Sequence, residues 1–227
     1  MRWGPQFTSD GRTRFALWAP DANRVTLLIQ GGRQFDMDQC DAGWFSAIVE
    51  APPGTRYRFR LPGGLEVPDP ASRAQDGGVH GWSIVCDPAD RAWRNPDWRG
   101  RPWREAVIYE CHAGVLGGFA KLADKLPELA DLGFTAIELM PVAAFSGGRN
   151  WGYDGVLPYA PAEAYGTPAE LKELVDRAHD LGLSMLLDVV YNHFGPDGNY
   201  LGSYASDFFH DAHTPWGQAV SVSREPV

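Results

Sequence analysis

Hydrophobic spacing changes character partway along the chain. From Phe7 to about Val85 apolar residues fall in short runs, at 14–20, 24–29, 43–49, 56–61 and 82–85. Turn-forming clusters such as Asp21-Ala22-Asn23, Pro52-Pro53-Gly54 and Pro62-Gly63-Gly64 separate them. Arg56 to Arg60 alternates basic and aromatic residues, the period-two pattern of a half-exposed antiparallel strand. Several short strands with regular turn signals predict a β-sandwich. Trp18, Trp44 and Trp82 are expected to fill its core or its contact with the next domain rather than to face solvent.

Residues 87–101 carry charge and proline without a sustained period, the composition of an inter-domain connection, with Trp93, Trp98 and Trp103 available to pin it. At residues 106–110 a new buried strand is predicted, and the pattern becomes strand, helix, strand, helix. Phe119, Leu122, Leu126, Leu129 and Leu132 recur at helical spacing, Pro127 should kink that helix or reset its start, and Gly133 should stop it. Residues 135–141 form the second predicted strand. Thr167-Pro168-Ala169-Glu170 is a capping box with proline at the first helical position, followed by the stripe Leu171, Leu174, Val175, Ala178 and Leu181, and by Gly182. The run 185–190 that follows reads as a strand buried on both faces, hence part of a parallel sheet covered by helices. Two complete βα units and a third strand result, a growing parallel sheet whose third strand delivers Asp188, Asn192 and His193 to its C-terminal end and so carries a polar site.

Charge and composition narrow the partners. A net charge of −9 argues against nucleic acid, since phosphate-backbone contacts need clustered Lys and Arg. No run approaches membrane-spanning length and the N-terminus lacks the apolar core of a signal peptide, so no membrane partner is expected. Cys40, Cys86 and Cys111 are odd in number and widely spaced, which suggests neither a disulfide framework nor a metal clip and makes a reduced, cytoplasmic setting the default. His210-x-x-His213 lacks a third ligand at useful spacing, and Asp197-Gly198-Asn199 begins like a calcium loop but has Leu201 where an oxygen ligand is needed. No metal and no redox or nucleotide cofactor is expected. The acidic helix residues Asp124, Glu128, Asp131, Glu173, Asp176 and Asp180 read as a solvated face.

The segment Asp188-Val189-Val190-Tyr191-Asn192-His193 resembles the first signature of the α-amylase superfamily, glycoside hydrolase family 13, which lies on the third strand of a (β/α)8 barrel. Extended through residues 194–201, it looks most like the malto-oligosyltrehalose trehalohydrolases of that family. Residues 15–21, 54–61 and 68–73 resemble the immunoglobulin-like module that precedes the barrel in trehalohydrolases, branching enzymes and isoamylases. The resemblance implies a multi-domain chain: residues 1–88 an immunoglobulin-like β-sandwich, 89–104 a linker, and 105–227 the first part, about three βα units, of a TIM barrel.

It also implies roles. Tyr153, in Trp151-Gly152-Tyr153-Asp154, is expected to stack under the sugar at subsite −1, and His193 to hydrogen-bond that sugar's hydroxymethyl and neighbouring hydroxyls. Asn192 and Asp188 are expected to hold the rim geometry, with Trp151 and Asp154 as neighbours. The expected partner is malto-oligosyltrehalose or a related α-glucan, cleaved at the α-1,4 bond next to the terminal trehalose unit. A retaining glycosidase needs a carboxylate nucleophile and an acid about 5–5.5 Å apart. In this superfamily those groups sit on later strands, so no catalytic residue is expected before residue 227 and the chain alone is expected to be inactive. The alternatives are a glucan-branching or isoamylase-type debranching enzyme, or a non-catalytic glucan-binding protein. With three strands of eight, the sandwich is expected to fold alone while the barrel portion needs further polypeptide.

Overall fold

The computed structural model describes residues 3–214 and 217–221. Two antiparallel sheets build the N-terminal sandwich. One runs Gln6–Phe7, Thr13–Trp18, Trp44–Val49, Asp38–Gln39 in spatial order. The other runs Arg33–Asp36, Thr26–Ile29, Arg56–Arg60, Trp82–Ile84, Gln75–Asp76, with Glu66–Val67 also paired to Arg56–Arg60. The Arg56–Arg60 alternation does what its period demands: Tyr57 and Phe59 are wholly buried, and the three arginines stand on the other face. Trp18 and Trp44 are buried as expected, while Trp82 is half-buried under the Arg58 guanidinium, 4.5 Å from the ring centre. The edge strand Arg33–Asp36 and the two-residue strands carry no apolar alternation, which is why pattern reading passes over them.

Tyr57 donates its hydroxyl hydrogen to Asp69 Oδ2 at 2.7 Å in the sandwich core, and Asp69 Oδ1 accepts the Ala71 N–H at 2.8 Å. Burial outweighs these donors and pushes the Asp69 carboxyl up to about 6. A folded pKa above the unfolded one means that stability from this group is full below about pH 4 and is lost as pH rises towards 6. Asp69→Asn should therefore gain on the parent between pH 4 and pH 7, on the order of 1–3 kcal/mol, read as the change in the stability difference from urea unfolding at both pH values.

The second half holds three parallel strands, Ile108–Cys111, Ala136–Leu139 and Ser184–Leu187, in that spatial order and in step, Ile108 beside Ala136 and Ala136 beside Ser184. Helices Phe119–Asp131 and Pro168–Asp180 connect them. The first passes through Pro127 as one element, without the expected restart. At its end Gly133 takes φ 91°, its N–H reaches the Ala130 carbonyl at 3.0 Å and the Phe134 N–H reaches Leu129 at 3.2 Å, the paired bonds of a Schellman stop. The second opens on the expected box, Thr167 Oγ1 accepting the Glu170 N–H and the Glu170 carboxylate accepting the Thr167 N–H. The fold is thus an immunoglobulin-like sandwich followed by the opening part of a (β/α)8 barrel.

Three expectations need correction. The strand read as buried on both faces is only half covered: Leu187 is 50 % exposed and Val189 42 %, because among the described residues no strand pairs with its outer edge. The first parallel strand is likewise part-exposed at Ile108 and Glu110. Asp176, assigned to a solvated face, is wholly buried.

Asp176 is buried because the connection lies on it. Arg94 donates its backbone N–H to Asp176 Oδ1 at 3.1 Å, and Arg91 approaches Oδ2 at 3.3 Å. Arg91 also pairs with Glu173, Arg94 with Glu173 and Asp180, and Asn95 with Asp180. These donors hold the Glu173 carboxyl down to about 2. Trp98 stacks on His179, ring centres 4.7 Å apart, whereas Trp103 is largely exposed; charge rather than tryptophan does most of the pinning. Asp176→Ala leaves the Arg94 N–H and the Arg91 guanidinium short of an acceptor, and is expected to cost about 1–3 kcal/mol, read by denaturant unfolding.

The sandwich, expected to fold alone, shares its core with the barrel part. Its core cluster includes Leu201, Tyr204, Ala205 and Phe209, all from the segment after the third parallel strand. The Asp21 N–H donates to the Tyr204 carbonyl at 3.1 Å and Asp21 Oδ2 accepts the Ser206 N–H at 2.7 Å. In the other direction, the sandwich turn Gly78–His80 enters the barrel loops. Val79 packs with Ala144, Val156, Leu157 and Ala160, and Glu163 accepts the N–H groups of Gly77 and Gly78. His80 sits between the Tyr200 hydroxyl, 2.7 Å, and Asp197, 3.3 Å, and Asp197 in turn accepts from Ser146. Two modules joined by reciprocal insertions behave as one packed body.

Candidate functional site

The long connection 142–166, between the second parallel strand and the second helix, carries a ladder of its own: Ala143–Ala144 pairs antiparallel with Leu157–Pro161. That ladder holds the loop carrying Trp151 to Asp154 against the ends of the second and third parallel strands. Two glycines allow the approach. Gly152 takes φ 99°, and a Cβ there would lie 2.1 Å from the Pro141 carbonyl oxygen. A Cβ on Gly195 would lie 2.1 Å from the Asp154 carbonyl oxygen, and its N–H donates to the Gly155 carbonyl at 3.1 Å. Only a hydrogen fits at either place.

Across this junction three of the expected residues meet. Tyr153 donates its hydroxyl hydrogen to Asp188 Oδ2 at 2.8 Å, and this bond, more than burial, raises the phenol above its ordinary pKa. His193 is buried and its Nε2 lies 3.0 Å from the Tyr153 carbonyl oxygen, which sets an N–H donor there. Tyr153 itself stays 41 % exposed. Beside them is a cavity of about 330 Å³ whose wall includes Asp188 and His193 along with Pro141, Leu187 and Phe194. An exposed aromatic face, a carboxylate and a ring N–H bonded to the backbone behind it form an amphipathic corner at the strand ends.

Tyr153 borders that cavity only through Asp188, which it bonds, and is not part of its wall; nor are the other three expected residues. Asp154 accepts the Asn150 side-chain N–H at 2.7 Å and so braces its own loop. Asn192 is exposed, its carbonyl receiving the Val220 N–H at 3.3 Å. Trp151 is 72 % exposed and borders a separate hollow. Sequence reasoning also passed over Asn150, the organiser of the loop. Its side-chain oxygen accepts the Gly152 N–H at 2.8 Å, and its carbonyl accepts from both His112, at 2.7 Å, and the Tyr165 hydroxyl, at 3.0 Å. His112 Nδ1 accepts the Val115 N–H at 3.0 Å, so its proton resides on Nε2. An Asn before a Trp-Gly turn is the one local signal that could have pointed to it.

Among the described residues no group of three or more His, Cys, Asp or Glu could hold a metal ion. The Asp197 carboxylate is taken up by Ser146 and His80, and the side chain of His213 lies outside the described residues.

A parallel βα sheet with this aromatic-carboxylate-histidine corner can be set beside known proteins. The model "Alpha amylase, catalytic domain" matches residues 75–215. The chain belongs to the α-amylase family. A second model, "Carbohydrate-binding module 48 (Isoamylase N-terminal domain)", matches residues 2–88. The overlap of the two matches covers the turn Gly78–His80, which packs into the barrel loops. Among relatives in this family, the malto-oligosyltrehalose trehalohydrolase of Deinococcus radiodurans is 45 % identical over 93 % of this chain and 36 % of its own length. That of Saccharolobus solfataricus is 43 % identical over 96 % of this chain and 39 % of its own length. The 1,4-alpha-glucan branching enzyme of Bordetella pertussis is 39 % identical over 83 % and 29 %. The structure titled putative alpha amylase from Salmonella typhimurium superposes with a TM-score of 0.93 at 49 % identity, covering 96 % of this chain and 38 % of that one. A pullulanase from Bacillus acidopullulyticus, at 22 % identity and a TM-score of 0.83 over 97 % of this chain and 34 % of that one, shares the fold. The resemblance to the trehalohydrolases noted on residues 188–201 thus extends along most of the chain, which spans a little over a third of the length of those relatives.

Proposed function

We propose that this chain is the N-terminal portion of a malto-oligosyltrehalose trehalohydrolase and supplies one wall of its sugar site. In this reading the glucosyl unit adjoining the scissile α-1,4 bond rests on the Tyr153 ring, with Asp188 and His193 at its hydroxyls. The nucleophile and the general acid are supplied by polypeptide beyond residue 227, so the chain alone binds glucan without cleaving it. The observation that carries the reading is the Tyr153–Asp188 bond with His193 behind it, made by two separate loops and left open to solvent on the tyrosine face. The trehalohydrolase names of relatives matching more than nine-tenths of the chain support the substrate.

Calorimetric titration with maltotetraose tests the site. Tyr153→Ala should weaken binding about tenfold or more, and Tyr153→Phe, which keeps the ring but loses the bond to Asp188, should lose less, a few-fold. Equal affinities for parent and Tyr153→Ala overturn the assignment. The branching-enzyme alternative rests on the Bordetella protein, which is less identical and covers less of this chain than the two trehalohydrolases above. Assay of the longer gene product separates them: free trehalose from malto-oligosyltrehalose on one reading, new α-1,6 branches in glycogen on the other.

A further inference from the structure

The turn between the sandwich strands Gln75–Asp76 and Trp82–Ile84 reaches out of its own module and ends between the two loops that carry the sugar corner. Its base is fixed on the sandwich side. Arg58 donates to the Gly81 carbonyl at 3.0 Å and to the His80 carbonyl at 2.9 Å, and a Cβ on Gly81 would lie 2.1 Å from the Asp76 carbonyl oxygen. At the tip, Val79 is 1 % exposed and packs on Ala144, Val156, Leu157 and Ala160 of the loop carrying Tyr153. Its other side meets the loop after the third strand, where a Cβ on Gly198 would lie 2.4 Å from Val79 Cγ2. His80 holds that same loop through both ring nitrogens. In the neutral ring the Nε2–H donates to Asp197 Oδ2 at 3.3 Å, a carboxylate that can only accept, and Nδ1 accepts the Tyr200 hydroxyl hydrogen at 2.7 Å. Ser146, from the Tyr153 loop, donates to the same Asp197 oxygen. The bonds from Ser146 and His80 keep the Asp197 carboxyl below its ordinary pKa.

Both loops run from this contact straight into the corner. Phe194 packs against the Val79 cluster and also lines the cavity of about 330 Å³ with Asp188 and His193. Gly155, next to Val156, lines that cavity too, and its carbonyl accepts the Gly195 N–H at 3.1 Å. The His80 and Asp197 side chains are 49 % and 64 % exposed, so the bond between them contributes little to stability. What it fixes is the place of residues 197–200 against the sandwich turn. We propose that Val79 and His80 are positioning residues for the sugar corner, setting the separation of the loop that bears Tyr153 from the loop that bears His193. Neither residue touches the sugar. The proposal rests on the glucan reading of the Tyr153 site. The N-terminal module then serves that site as a brace, since a misplacement of either loop separates groups that have to meet one glucosyl ring together.

Maltotetraose titration of the chain, together with ring-proton NMR of the unliganded protein, tests this. His80→Ala should weaken binding about tenfold and shift the Tyr153 and His193 ring signals before any sugar is added. His80→Gln, which keeps a donor for Asp197, should bind within about threefold of the parent and return those signals most of the way. Val79→Ala should weaken binding about fivefold. Asp176→Ala, which destabilises the chain at the second helix, should bind as the parent does, and this separates positioning from a general loss of stability. Three results overturn the proposal: parent-like affinity in both His80→Ala and Val79→Ala, an equal loss in Asp176→Ala, or His80→Gln as weak as His80→Ala. Lost affinity in His80→Ala with both ring signals unmoved also overturns it, because His80 would then act on the sugar itself. Failure of the parent to bind maltotetraose removes the glucan reading. The ring signals then decide alone whether the turn sets the corner, and unmoved signals in His80→Ala and Val79→Ala overturn that as well.

Discussion

Tyr204→Ala is expected to destabilise the sandwich, although residue 204 lies more than a hundred positions beyond the last sandwich strand. Tyr204 is 2 % exposed within the same cluster as Phe15, Leu17, Tyr57 and Phe59, so truncation removes a large ring from a close-packed core and leaves a cavity. The expected cost is about 3–5 kcal/mol, the range for truncating a buried aromatic ring to alanine. Hydrogen exchange gives the location: protection at residues 13–18 and 56–60 should fall together with that at residues 200–209. A variant in which only residues 200–209 lose protection would show that the sandwich holds by itself and that the segment merely rests on it.

Gly195→Ala carries the second large effect. The new methyl would sit 2.1 Å from the Asp154 carbonyl oxygen, far inside contact distance, and the obstructing atom is backbone that no rotamer change can move. Either the loop after the third strand or the loop carrying Tyr153 has to retreat, and the Gly195 N–H bond to Gly155 goes with it. Overpacking of this kind costs about 1–3 kcal/mol in stability. The functional loss should be larger, because Tyr153, Asp188 and His193 are held together through this junction. Maltotetraose binding is expected to fall about tenfold or more while most of the fold survives. Retained affinity would show that the junction does not set the site.

Much of this was legible from residue order. The capping box at Thr167, the stops at Gly133 and Gly182 and the alternation at Arg56–Arg60 are local devices, and local chemistry realises them as read. The meeting of Tyr153, Asp188 and His193 followed from the resemblance of two motifs, and the geometry of the two loops brings them together. What pattern reading missed depends on distant partners. Asp176 looks like any exposed helix acid until Arg91 and Arg94 arrive from the connection, more than eighty positions earlier, to cover and pair it. Tyr204 looks like a loop aromatic until Asp21 and the sandwich core close over it. The third strand was read as buried on two faces because its composition is apolar, but composition does not reveal which neighbours are present along its edge. Asn150 escaped notice because its work is done mostly through its backbone carbonyl, which no residue-type motif encodes.

The central claim is that Tyr153, Asp188 and His193 make one sugar-contacting corner from two loops. A crystal of the chain soaked with maltotetraose tests it most directly. A glucosyl ring lying on Tyr153, with hydroxyls within hydrogen-bonding distance of Asp188 and His193, is the predicted result. Oligosaccharide bound elsewhere, with the Tyr153 face bare, would contradict it.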